Sequence, residues 1–221
     1  MDRLNFCSSL VTELWTQIYD RYTWEPPALP IEVVNLHESQ NMLSMDGLVD
    51  SRLAVVLKCV QCTTILFNTH YHSQTPGNGT FIQQCLGFVH SSLIDLEGRL
   101  TEELPKYILL GILVYLATAF RIPSCDEQHY CNSLAEKMQL AYTAARPLIP
   151  DPYVALDIWS MFMAQICISP TSKQQGVNWD MSKISCLGWD ETRRGLQQVM
   201  WIDAFHDDLG RRVFEKLAKP R

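Results

Sequence analysis

Residues 107–120 read Tyr-Ile-Leu-Leu-Gly-Ile-Leu-Val-Tyr-Leu-Ala-Thr-Ala-Phe, fourteen residues without a charge between Lys106 and Arg121. A bilayer span needs about 20 apolar residues, so this stretch predicts a buried helix, not a membrane segment. Residues 153–168 repeat the pattern, Tyr-Val-Ala-Leu-Asp-Ile-Trp-Ser-Met-Phe-Met-Ala-Gln-Ile-Cys-Ile, with Asp157 as their only charge. Helices that are apolar on every side must be surrounded by other elements. No alternating strand pattern is present to surround them, so the neighbours are expected to be helices as well.

Working outward, the first helix is expected over about 2–22, with Leu10, Leu14, Ile18 and Tyr22 spaced four apart on one face. Pro26, Pro27 and Pro30 end it in an extended crossing. Residues 31–50 have no clear assignment. A second helix, opened by an Asp50/Ser51 cap, covers about 51–72, and Ser73 to Gly79 reads as a turn. Further helices are expected over about 80–99, 105–121 with Pro105 in its first turn, and 126–146 up to Pro147. Another covers 153–168, capped by Asp151 and Pro152, and the last two cover about 189–204 and 206–218. The connections are short, so the reading is a single all-α domain over 1–221 with an apolar internal pocket.

The chain has 221 residues, 47% hydrophobic and 19% charged, with 18 Lys and Arg against 24 Asp and Glu for a net charge of −6. That composition excludes disorder. The acidic balance argues against direct nucleic-acid binding, which requires clustered cations to displace counterions from phosphates. The first 22 residues carry Asp2, Arg3, Glu13, Asp20 and Arg21 and no continuous apolar core, so no secretory signal is expected. Asn78-Gly79-Thr80 fits a glycosylation sequon but reads as a turn. The eight cysteines fall mostly inside apolar helical stretches, which favours free buried thiols and a cytoplasmic or nuclear location.

Residues 186–217 combine Leu187, Trp189, Trp201, Asp203, Asp207, Gly210, Arg211 and Arg212 in the order Leu-x-Trp, Trp-x-Asp, Asp-x-x-Gly-Arg-Arg. This segment resembles the end of the regulatory, middle-homology domain of fungal zinc-cluster transcription factors, and the resemblance extends over about 105–218. It implies an all-helical ligand-responsive domain. The residues themselves predict an apolar stripe of Leu196, Val199 and Met200, with Trp201 on a second face. They also predict an Asp207 or Asp208 cap on the final helix, and Arg211 and Arg212 reaching back to Asp203 or to helix carbonyls. The six-cysteine basic stretch of such regulators has no counterpart. Cys59-Val-Gln-Cys62 is one pair in an apolar helix, so the DNA-reading half is expected to be missing.

Metal binding by Cys59 and Cys62 with His70 and His72 is disfavoured, because eight residues of helix separate the pairs by about 12 Å. No metal is therefore expected. The Asp207-Asp208-Leu209-Gly210-Arg211 run lacks the third aspartate of a magnesium-diphosphate motif, and Asn178 and Ser182 are followed by Cys186 instead of the required glutamate. No glycine-rich phosphate loop or Gly-x-Ser-x-Gly elbow occurs, so no cofactor is expected.

What remains is a few polar groups on apolar helices. Asp157 and Tyr115 are the catalytic candidates, since a carboxylate or phenol in a dry pocket can polarise a carbonyl or move a proton. Trp159, Met161, Gln165 and His90 are the candidate substrate contacts. Two functions follow as expectations. One is a cofactor-free cyclase or isomerase of fungal secondary metabolism acting on an apolar small molecule. The other is a non-catalytic co-regulator or ligand sensor that pairs with a second copy or with a full-length transcription factor.

Overall fold

Punctuation by proline, glycine and aspartate sets most helix ends in the computed structural model, which describes residues 26–73, 79–119, 127–167, 184 and 186–218. Among these residues are eight α-helices: α1 (Ile31–Ser39), α2 (Ser51–Ser73), α3 (Gly79–Glu97), α4 (Glu103–Ala119), α5 (Glu127–Ala145), α6 (Val154–Cys167), α7 (Trp189–Val199) and α8 (Asp203–Leu217). No strand occurs among the described residues, and the fold is all-α. The helix expected over 2–22 and the turn at 74–78 lie outside them.

Asp50 caps α2 as the sequence predicts, its carboxylate accepting from the Arg52 N–H at 2.8 Å. The ambiguous stretch 31–50 resolves into α1 and a turn, where Asn41 and Gly47 take positive φ. Helix α6 starts from a 3-10 turn, Asp151–Tyr153, with Pro152 in its first positions and no side-chain cap at Pro150. The expected Asp151 cap is therefore replaced by backbone geometry: the Tyr153 N–H donates to the Pro150 carbonyl at 2.9 Å.

The largest departure lies between the last two helices. The sequence places their boundary near 205, but α7 ends at Val199 and α8 begins at Asp203. Met200 is extended, with φ −164° and ψ 118°. Helix α8 takes Ile202 as its N-cap without a side-chain cap, so neither Asp207 nor Asp208 caps it. The physical reason is tertiary: the Val199, Met200 and Trp201 carbonyls and the Asp203 N–H are met by side chains of α2 and α6.

Helix α5 runs back along α4, as the Tyr107–Tyr142 ring pair and the approach of Met138 to Gly111 record. Helix α6 then returns in the direction of α4. The core is continuous through these three helices and α2, α7 and α8, with Trp159, Tyr107, Tyr115, Phe162 and Trp201 fully buried. Helix α3 packs mainly on α2, and α1 closes a small satellite core of Val33, Cys62 and Leu66.

Candidate functional site

The polar residues of the interior fall into two groups with different characters. The first surrounds the break between α7 and α8. The Gln61 side-chain amide donates to the Val199 carbonyl at 3.2 Å and to Leu43 at 3.0 Å, and the Trp159 indole N–H donates to the Met200 carbonyl at 2.6 Å. Asn68 holds the next residues with both ends of its amide, donating to the Trp201 carbonyl at 2.8 Å and accepting from the Asp203 N–H at 3.0 Å. His206 Nδ1 accepts from the Ile202 N–H at 3.0 Å.

That last bond places the ring proton on Nε2, which lies 3.2 Å from the Thr118 hydroxyl; this hydroxyl donates in turn to the Tyr115 carbonyl at 2.8 Å. Tyr115 completes the network. Its phenol meets the Thr64 hydroxyl at 2.5 Å, and Thr64 donates to the Val60 carbonyl, so Tyr115 is the donor of the pair. Its ring packs at a tilt against Trp159 and His206, with centroid distances of 6.2 and 5.4 Å. Tyr115 and Trp159 thus lie together in a saturated, closely packed network. Burial pushes the Tyr115 phenol well above its ordinary range.

Outside this network, Asp207 accepts from the Trp201 indole at 2.8 Å and from Arg193 Nε at 2.9 Å, while Arg193 Nη2 lies 3.0 Å from Asp203. The hydrogen bond that Arg193 donates to Asp207 is the main reason its guanidinium is held even more firmly protonated than usual. Trp201 is packed edge-on to Trp189 and Phe162. Asp203 is taken up by Arg193 and Gln197, so Arg212 turns instead to the Asp208 carbonyl at 3.3 Å. The residues of the Trp-x-Asp and Asp-x-x-Gly-Arg-Arg pattern that converge here therefore act as a structural clasp.

The second group is not saturated. It lies where α4, α5 and α6 meet and contains Tyr107, Gln139, Tyr142, Asp157 and Ser160. Asp157 is 4% exposed and sits one turn before Ser160 on α6. Burial drives the Tyr107 phenol far above its ordinary range; the nearby Ser160 hydroxyl opposes that rise, and Asp157 and Tyr142 add to it. Neither hydroxyl of the facing Tyr107–Ser160 pair has a partner at close hydrogen-bonding geometry, and the Gln139 amide nitrogen is buried without one as well. Tyr142 places its ring 6.0 Å from that of Tyr107, and Gln139 lies one turn before it on α5.

The candidates named from sequence are thus divided. Asp157 stands near Tyr107 in the second group, whereas Tyr115 and Trp159 belong to the saturated network. Tyr115 is two turns beyond Tyr107 on α4, about 12 Å along the axis. Met161 is buried beside Ser160, and Gln165 is half-buried two turns beyond Asp157. His90 is on α3, half-buried, and burial lowers its pKa from the ordinary imidazole value. Sequence reading missed Tyr107, Gln139 and Ser160. Tyr107 opens an apolar run and reads as core, and only the packing of the helices reveals that its buried hydroxyl lacks a close partner.

Elsewhere, Cys59, Cys62 and Cys85 neighbour one another in the interior between α2 and α3. Burial is the main cause that raises them to about 12, 11 and 12. No group of three metal-ligating side chains stands together among the described residues, and the His70 and His72 side chains fall outside them. The five described cysteines are free thiols, four buried and Cys186 exposed. No described helix is long and apolar enough to cross a membrane. On the surface, a groove of about 390 Å³ runs between α2 and α3, lined by Val55, Phe88, Leu96 and the Arg52–Asp95–Arg99 charge cluster, with Pro26 at its edge. No protein-family model, curated protein or solved structure matches this chain.

Proposed function

We propose that the protein binds an apolar small molecule between α4, α5 and α6 and acts on it as a cofactor-free cyclase or isomerase. The observation that carries this reading is the cluster of Tyr107, Gln139 and Ser160 around Asp157. Its three buried donors lack close hydrogen-bond partners, whereas the other polar network of the interior is saturated. Buried polar groups are ordinarily paired, and groups left unmatched inside a core are a recurrent mark of sites kept for another molecule. The chemistry such a site supports is rearrangement within one substrate, so that no atoms are gained or lost. Asp157 would move or hold a proton, and Tyr107, kept protonated by burial, would hydrogen-bond an oxygen on which charge develops. Descent from the regulatory domain of a fungal transcription factor, and a place in fungal secondary metabolism, belong to the same proposal. They rest on the resemblance over 105–218.

The test is to incubate the purified protein with metabolite extract from a producing fungus lacking its gene and to follow the mixture by mass spectrometry. A product isomeric with a consumed compound is expected. Asp157→Asn should abolish its formation with the thermal midpoint nearly unchanged. A compound retained without conversion would reduce the reading to a ligand sensor. If nothing is retained or converted, the small-molecule reading fails.

The groove between α2 and α3 supports a second reading, a co-regulator that docks a protein partner. Val55 in its wall is 39% exposed despite lying on a helix that is otherwise largely buried. Val55→Glu would then remove partner binding and leave any turnover of a small molecule untouched.

A further inference from the structure

Helices α4, α5 and α6, which pack on one another, each carry one buried polar group without a close hydrogen-bond partner: the Tyr107 hydroxyl, the Gln139 amide nitrogen and the Ser160 hydroxyl, of which Tyr107 and Ser160 face each other. The three residues are 0%, 7% and 0% exposed, so bulk water does not satisfy them. A core selected for stability alone would place Phe, Met and Ala at these positions, because an unmet buried donor is destabilising and the apolar isostere is not.

We infer that Tyr107, Gln139 and Ser160 form a hydrogen-bonding site for the acceptor oxygen of an uncharged carbonyl compound with an apolar body. This rests on the small-molecule reading above and gives it a ligand class.

Three features select that class. The unmet atom of Gln139 is its nitrogen, which only donates. The Tyr107 phenol keeps its proton, since burial disfavours the phenolate. The complement of such donors is an acceptor oxygen. A carboxylate would bring acceptors too, but it would stand beside Asp157, which already acts electrostatically on Tyr107. An anion is thereby disfavoured and a ketone, enone or lactone oxygen preferred. Finally, the core of these three helices is apolar: Ile108 on α4, Ala135 and Met138 on α5, and Met161 on α6 are all buried. They suit a hydrocarbon body, and the Tyr142 ring offers it an aromatic face.

The experiment uses the full chain and three probes that share one ring: acetophenone, benzoate and toluene. Binding is followed by ligand-observed NMR and by thermal shift. Acetophenone is expected to bind more tightly than either of the others. The single variants Tyr107→Phe, Gln139→Met and Ser160→Ala delete polar atoms with little change of shape. Each should weaken acetophenone about three- to tenfold and leave toluene unaffected.

Equal binding of acetophenone and toluene would overturn the inference, since an apolar void explains it. Acetophenone binding that survives all three substitutions would place the ligand elsewhere and overturn it too, while leaving a small-molecule function standing. Preference for benzoate would overturn the exclusion of anions. No response to any of the three probes would also overturn the inference, and the extract experiment then decides the broader reading independently. A folded thermal transition in each variant serves as the control that loss of binding is not loss of structure.

Discussion

The indole of Trp201 lies directly against the backbone of Gly210, so that a β-carbon there would stand 2.5 Å from its Cη2 and 2.7 Å from its Cζ2. Trp201 has no room to retreat. It is wedged between Phe162 and Trp189, and its N–H is held by Asp207. Gly210→Ala should therefore destabilise the protein by about 2 kcal/mol, the clash exceeding the gain in helix propensity. The midpoint of a thermal melt should fall by about 4–8 °C. Gly195 on α7 supplies the control, because nothing stands within 4 Å of the position its β-carbon would take. Gly195→Ala should be neutral or stabilising, and equal losses at both sites would remove the argument from Trp201.

Asn68 bonds two backbone groups of the α7–α8 break through one amide. Asn68→Leu leaves the Trp201 carbonyl and the Asp203 N–H unpaired at a half-buried site. The expected loss is about 2 kcal/mol by chemical denaturation. Asn68→Asp should fare no better, since it keeps the acceptor for Asp203 but sets a carboxylate oxygen against the Trp201 carbonyl. An unchanged midpoint in either variant would show that water replaces the amide without cost.

Tyr107→Phe and Ser160→Ala should behave in the opposite way. Each removes a buried hydroxyl that lacks a close partner, so each should leave the unliganded protein as stable or raise it by about 1 kcal/mol. A thermal midpoint raised by about 2–4 °C would be the signature. A clear loss of stability in both would mean that the hydroxyls are bonded in solution.

The thiols give the alkaline limb of the stability profile. Cys59, Cys62 and Cys85 ionise near 9.0 when unfolded and near 12, 11 and 12 when folded. The folded values are the raised ones, so above pH 9 the unfolded chain holds fewer protons than the folded one. These groups' contribution is complete below pH 9 and is lost as pH rises from there toward 12. Denaturant midpoints measured at pH 8 and pH 10.5 should differ in that direction. In native protein, among the five described cysteines, a thiol reagent should reach Cys186 first and the four buried ones only on unfolding.

Much of the architecture is legible in the sequence because its signals are local. The uncharged run 107–120, the Asp50 cap and the prolines at 147 and 152 fix helices within a few residues of where they stand. The α7–α8 break is misplaced because its determinants, Gln61, Asn68 and Trp159, lie far away in the chain and have no local signature. The same distinction explains the candidate site. Asp157 is visible as the single charge of an apolar helix. Tyr107, Gln139 and Ser160 look like ordinary helix residues until packing shows which of their polar atoms go unmet. Tyr115 stood out for a similar reason to Asp157, a polar group midway along an apolar helix, yet its partner Thr64 is 51 residues away in sequence.

The clasp at Met200–Ile202 also bears on how the C-terminal helices detach. Undocking them exposes, in one event, an indole N–H, two side-chain amides and a ring nitrogen that belong to α2, α6 and α8. No part of the break can open alone without stranding a donor or acceptor elsewhere. The amides of Ile202 and Asp203 therefore belong to the same cooperative unit as the core helices, although Ile202 lies outside regular helix and Asp203 is the first residue of its own. In deuterium exchange they should be protected like mid-helix amides, with α8 fraying from Leu217 inward and never from its N-terminal end.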